Sequence, residues 1–238
     1  MSNLYFTISN SKNQILAEAN YVVVEDSYIY MYQLKNRQKE FTFFKNELYI
    51  FSGYIKNINN ELDIIYEYEF TANNETILNQ TSTFLLLDCN VNQNEIEYYK
   101  YDQSIVDLIY TWDNETEILK FKKKTWTYLF ATLLYSGVPI TLPDNTEILI
   151  DGSNIETVYE FFIVFSENFL GRKKYFANNQ DSLIDTLKNA NTTFNNKIIV
   201  KNRSILKHNL ANFSGDMNYL EKILTIFENY NFIIEFSK

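Results

Sequence analysis

Two aspartates four residues apart, Asp181 and Asp185, are the strongest candidates for chemistry in this chain. They stand in Tyr175-Phe176-Ala177-Asn178-Asn179-Gln180-Asp181-Ser182-Leu183-Ile184-Asp185-Thr186-Leu187, where an aromatic pair and an amide pair lead into a short amphipathic helix. With 3.6 residues per turn, positions i and i+4 stack on one face, and Leu183 and Leu187 turn to the other side. Two like charges stacked in this way cost about 0.2–0.5 kcal/mol in an isolated helix. A cationic partner would offset that cost, and so would plain solvation. The same pair, or Asp181 with Glu221, also has the residue types for acid–base or metal chemistry. The rest of a catalytic apparatus is missing: there is no Gly-rich phosphate loop, nucleophile elbow or metal-ligand spacing. His208, in Leu206-Lys207-His208-Asn209, has no evident Ser or Cys beside it. Neither catalysis nor a cofactor is expected.

Composition narrows the field further. Of 238 residues, 46% are hydrophobic, with 19 Tyr and 19 Phe but only 5 Gly and 2 Pro, which suits packed domains rather than long flexible linkers. One cysteine, Cys89, excludes an intrachain disulfide, and with one histidine a Cys/His zinc site lacks ligands. No basic leader followed by an apolar core opens the chain, and no apolar run approaches the ~20 residues that span a bilayer. A cytoplasmic protein without membrane contact is expected. The net charge is −9, of which −8 falls in residues 1–145 and −1 in residues 146–238. That balance disfavours direct nucleic-acid binding, which needs a basic stripe, and favours a basic protein partner.

The elements that would carry these residues fall into two groups, giving an α+β chain overall. Residues 1–120 are rich in short β-branched and aromatic runs: 21–24, 28–32, 40–44, 48–51, 62–70, 83–87 and 96–101. Sequential strands with short polar joins predict a mainly antiparallel meander, sandwich or open barrel. A helix at about 123–136, with Trp126, Leu129, Phe130, Leu133 and Leu134 at helical spacing, closes a β-rich domain of residues 1–138. Both prolines lie in 139–145, the expected linker. Residues 146–238 then alternate strand and helix. Strands at 147–150, 197–201 and 232–236, with helices at 157–169, 182–187 and 219–230, predict an α/β domain with a small parallel sheet.

From about Glu147 onward, several ordered pieces resemble the barstar-like family of intracellular ribonuclease inhibitors. They are Ile150-Asp151-Gly152-Ser153-Asn154-Ile155, Phe165-Ser166-Glu167, Tyr175-Phe176, Asn179, Asp181, Leu183, Asp185, Leu187 and Glu221 to Phe227. The resemblance implies a three-stranded parallel sheet packed by helices. It also implies that the second helix and the loop before it plug a ribonuclease active site. Carried over, Asp185 enters a phosphate pocket with Asp181 one turn earlier, and Tyr175, beside Phe176, packs over the enzyme's catalytic residues. Asn179, Asn189 and Glu221 take the remaining interface positions. Here Ala177 replaces the family's Gly, Ile184 replaces a Trp, and the basic run Arg172-Lys173-Lys174 stands near the acids. The expected function is a bacterial immunity protein that blocks a nuclease-type toxin. The alternative is a non-inhibitory interaction module in which the N-terminal β domain recognises the partner.

Overall fold

Period-two alternation of buried and exposed residues builds the first part of the chain, and helical stripes build the second. The computed structural model describes residues 3–25, 27–35, 40–79, 81–92, 102–111, 125–190 and 195–237. The chain divides into two units, Met1–Asp113 and Asn114–Lys238. The expected strand at 96–101 and the Lys122–Lys124 run lie outside the described residues.

In the first unit, seven strands form one antiparallel sheet. They are β1 (Leu4–Asn10), β2 (Ile15–Ala19), β3 (Tyr21–Glu25), β4 (Tyr28–Tyr32), β6 (Leu48–Lys56), β7 (Leu62–Ala72) and β9 (Phe84–Asn92), in the order β2-β1-β6-β7-β9-β4-β3. A separate pair joins β5 (Glu40–Phe43) to β8 (Thr76–Asn79). The order is not a simple meander, because β1 pairs with β6 and β4 with β9 across long chain separations. Phe6, Ile8, Phe51, Tyr66 and Phe70 are buried in its core. Gly53 has a steric reason here: a Cβ would stand 2.9 Å from the Phe6 ring and 3.1 Å from the Tyr66 ring. Helix α1 (Gln103–Tyr110) starts at Asp102, whose carboxylate accepts from the Ser104 N–H, and buries Ile105, Val106, Leu108 and Ile109.

The second unit is built on three parallel strands in sequential order, β10 (Glu147–Asp151), β11 (Lys197–Lys201) and β12 (Ile233–Ser237). Parallel pairing requires long crossovers. The first carries α3 (Val158–Leu170) and α4 (Gln180–Asn189), and the second carries α5 (Arg203–Ser214) and α6 (Tyr219–Asn229). Ile148, Ile150, Ile198 and Val200 are buried on one side of the sheet. On the other, Lys197 bridges Glu147 at 3.4 Å and Glu235 at 3.1 Å. Phe161, Phe162, Phe165, Phe169, Phe176 and Phe227 form an aromatic cluster within a core that also holds many aliphatic side chains. At Gly152 a Cβ would come within 2.5 Å of Leu206 Cβ and 2.8 Å of the Asn202 carbonyl oxygen, so the first strand reaches α5 only because this residue lacks a side chain.

Two expectations about organisation change. Helix α2 (Thr125–Ser136) belongs to the second unit, not to the end of the β domain. The Tyr128 hydroxyl donates to Glu167 of α3, and Ser136 Oγ accepts the Tyr175 N–H at 2.8 Å. Residues 139–145 are not a free linker either. The Pro143 carbonyl accepts from Asn196 Nδ2 at 2.8 Å, Asp144 accepts the Asn195 N–H at 2.8 Å, and Leu142 is buried. Two prolines marked a change of element, while hydrogen bonds to the β11 side hold the segment in place.

Candidate functional site

Helix α4 is fixed at its start by an unusually complete cap. Asn179 is the N-cap, in extended conformation, and its Oδ1 accepts the Ser182 N–H at 2.8 Å. Ser182 returns the bond: its Oγ accepts the N–H groups of Asn179 at 3.1 Å and Asn178 at 3.0 Å. The same hydroxyl lies 3.0 Å from Asn178 Oδ1, to which it donates. A reciprocal box of this kind satisfies N–H groups that a helix start otherwise leaves open. Leu183, Thr186 and Leu187 face inward, and Thr186 Oγ1 donates to the Phe176 carbonyl at 2.8 Å. The result is a helix locked at both its cap and its inner face.

On its outer face Asp181, Asp185 and Asn189 are exposed at four-residue intervals. Asp181, in the first turn, is also favoured there by the helix dipole. Its charge reaches Tyr219 at the start of α6: burial mainly, then Tyr159, Asp216 and last Asp181, hold that phenol above its ordinary range. The acidic stripe expected from spacing is therefore formed and open.

The other expected contacts are placed differently. Phe176 is fully buried, with its ring centroid 4.9 Å from Phe165 and 5.7 Å from Phe169. Tyr175 is 4% exposed. Neither ring belongs to an exposed contact face. Asn179 is exposed but its carbonyl oxygen serves the cap. Glu221 is half-buried and bound by cations: Arg203 Nη2 lies 3.0 and 2.8 Å from its two oxygens, and Lys207 Nζ is 3.3 Å away. Burial raises the Glu221 pKa, but the hydrogen bonds and charges of Arg203 and Lys207 outweigh it and leave the carboxyl below its ordinary range. This acid is largely neutralised within the fold, so it adds little negative potential to α4.

The replaced residues also find explanations. Ala177 is buried and is not among the residues with positive φ, so the backbone here makes no demand for glycine. The left-handed position falls instead at Lys173, with φ 63°. Its N–H donates to Glu167, and the Arg172 charge faces the same carboxylate. Burial raises the Glu167 pKa, with the Tyr128, Lys173 and Arg172 contacts opposing it. The basic run thus folds back on α3, where one of its charges is answered.

Among the described residues no group of three His, Cys, Asp or Glu side chains is arranged to hold a metal ion. His208 is exposed on α5 and its Nε2 is 2.9 Å from Asn212 Nδ2, an i,i+4 pair on one helix. No described helix is long and apolar enough to cross a membrane. Sequence reasoning missed Ser182, although Asn at N-cap with a hydroxyl three residues on is a recognisable capping pattern. It also missed Arg203 and Lys207, which are legible as basic partners of Glu221 only once α5 is recognised. Comparison with family models, with curated proteins and with solved structures finds no match to this chain.

Proposed function

We propose that the protein is a protein-binding inhibitor of the immunity type, in which the outer face of α4 enters the cationic site of a nuclease-like toxin. The observation that supports this most directly is the exposed Asp181–Asp185 pair on a helix held by a reciprocal N-terminal capping box. A site that holds a phosphodiester is lined by Arg and Lys, and two carboxylates one turn apart imitate its substrate through charge-assisted hydrogen bonds. A fixed helix loses little freedom on binding, which favours such a plug. The barstar-like order of motifs in residues 147–227 points the same way.

The test uses the full chain and the authentic partner, captured from the native cell. Reversing both charges, Asp181→Lys with Asp185→Lys, is expected to abolish protection and weaken binding by at least tenfold. Protection equal to wild type would end this proposal.

A second reading is favoured by one observation. Residues 1–113 hold 16 acidic and 7 basic side chains, and residues 114–238 hold 14 of each. The whole net charge of −9 therefore belongs to the β unit, which is the better attractor of a basic partner. In this reading the second unit is a scaffold and the first unit recognises the partner.

A further inference from the structure

The outward face of β3, β4 and the first half of β9 carries aromatic rings where an antiparallel sheet ordinarily turns polar residues to water. Strand register sets three cross-strand rows. Tyr21, Tyr32 and Phe84 form the first; Val23, Tyr30 and Leu86 the second; Glu25, Tyr28 and Asp88 the third. Tyr28, Tyr32, Phe84 and Leu86 are 40%, 38%, 44% and 40% exposed. Their alternates Val22, Ile29, Met31, Leu85 and Leu87 fill the core instead, so the exposure is set by the pleat and not by a frayed edge. The rings touch one another: centroids are 5.7 Å apart for Tyr21–Tyr32, 5.1 Å for Tyr32–Phe84 and 4.7 Å for Tyr21–Tyr110. They are tilted by 43° to 52° and so present a mixture of ring faces and edges.

Carboxylates bound this surface at both ends. Glu25 is exposed beside Tyr28. Asp88, on the other flank of Tyr28, is held by Asn73 at 2.6 Å and Asn74 at 2.8 Å. Near the first row, Asp107 of α1 accepts from the Tyr21 hydroxyl and from Gln103 Nε2, each at 2.8 Å. The unit as a whole carries the entire net charge of −9.

We propose that this aromatic face is a docking platform for an arginine-bearing protein segment, laid across Tyr28, Tyr30, Tyr32 and Phe84 with guanidinium groups reaching Glu25 and Asp88. Ring faces attract cations, and arginine, being planar and weakly hydrated, stacks on them better than lysine does. Tyrosine contributes contact area with few rotatable bonds, so little freedom is lost on binding. Four residue steps of about 3.3 Å and two strand spacings of about 4.8 Å make a surface of roughly 13 by 10 Å, enough for an extended segment of four or five residues. Nucleic acid, which also stacks on aromatic platforms, is repelled by the acidic surroundings. The proposal deepens the reading in which the β unit makes the contact, and it is independent of α4.

The experiment titrates the full-length protein, by calorimetry at low salt, with a short peptide alternating Arg and Gly and with its Glu counterpart. Binding of the Arg peptide alone is expected. Tyr32→Thr with Phe84→Thr, which keeps strand-forming residues at exposed sites and leaves net charge unchanged, should weaken it about tenfold, roughly threefold for each cation–π contact removed. Glu25→Gln, a smaller change at an exposed strand end, should weaken it about threefold, on the scale of one exposed ion pair. Asp181→Lys with Asp185→Lys should leave it unchanged. Wild-type binding by the Tyr32/Phe84 variant would reduce the effect to bulk charge and overturn the platform. Loss of peptide binding in the Asp181/Asp185 variant would move the site to α4. Binding of an oligosaccharide such as cellohexaose, or of single-stranded oligothymidine, without binding of the Arg peptide would also overturn it.

Discussion

Replacing Ser182 by Ala removes one hydroxyl and should loosen the whole acidic helix. That oxygen accepts two backbone N–H groups, from Asn178 at 3.0 Å and Asn179 at 3.1 Å, and its own proton goes to Asn178 Oδ1 at 3.0 Å. Each intramolecular hydrogen bond contributes about 0.5–1.5 kcal/mol net, which puts the two accepted bonds at roughly 1–3 kcal/mol. Asn179 is exposed and Asn178 half-buried, so water recovers part of the loss. Alanine is also the better helix former, which returns up to about 0.7 kcal/mol. The expected net cost is about 1 kcal/mol, within the range measured for lost N-caps. For a unit of this size that corresponds to a fall in Tm of about 3–5 °C.

Because two units are present, one global melting curve mixes their transitions. The sharper assay is amide hydrogen exchange at Leu183, whose N–H bonds to the Asn179 carbonyl at 3.0 Å. Protection there should drop about fivefold, the equivalent of 1 kcal/mol, while amides of β11 stay as they were. Asn178→Ala alone and with Ser182→Ala completes a double-mutant cycle, and the two changes should be markedly non-additive because they share a bond. Unchanged protection at Leu183, or strict additivity, would refute the capping account.

Phe176→Ala should destabilise the second unit by about 3–5 kcal/mol in denaturant unfolding, as expected for a large ring removed from a core. A contact residue on an exposed surface would change stability very little, so a small effect would restore Phe176 to the interface. Gly152→Ala should cost at least about 1–3 kcal/mol, since the new methyl would meet Leu206 and the Asn202 carbonyl below ordinary contact distance. Glu167 has a raised pKa in the folded state, chiefly through burial, so the folded state binds its proton more tightly than the unfolded state does. Its burial therefore costs stability as pH rises from the ordinary glutamate range, and the cost is relieved as pH falls back through that window. Glu167→Gln should flatten this part of the stability–pH curve, and an unaltered curve would contradict the assignment.

How much of this was legible in the sequence depended on which force shaped each element. The three parallel strands and helices α3, α4 and α6 are driven by apolar periodicity, so Ile148, Val200, Phe165 and Leu224 announced them. Strands β3 to β7 and β9 were equally visible. β1 and β2 were not, since Thr7, Ser9 and Glu18 are buried polar residues that interrupt the expected pattern. α5 was hidden for another reason: its buried stripe is only Leu206, Leu210 and Ala211, and its N-cap Asn202 is left-handed with no side-chain cap bond. At the candidate site, spacing alone placed Asp181 and Asp185 on one exposed face. The inward turn of Phe176 was not legible, because its burial depends on tertiary packing against Phe165 and Phe169 of another helix and against Phe227, which is remote in sequence. The pairing of Glu221 with Arg203 likewise spans 18 residues and two helices.

These internal pairings limit what α4 can do by itself. With Glu221 bound to Arg203 and Lys207, and with acids and bases balanced across residues 114–238, the second unit carries no net charge to draw in a cationic partner. In the proposed inhibitor reading, Asp181 and Asp185 would act at contact distance, where two charge-assisted bonds to a desolvated arginine are worth far more than they are in water. The β unit has the opposite character. Its excess charge extends about a Debye length into solution and accelerates encounter, while Glu25 and Asp88 are too few to hold a partner tightly without the rings beside them. A basic partner of the first unit would be drawn in by that charge. Salt would then slow its association far more than it would speed its dissociation.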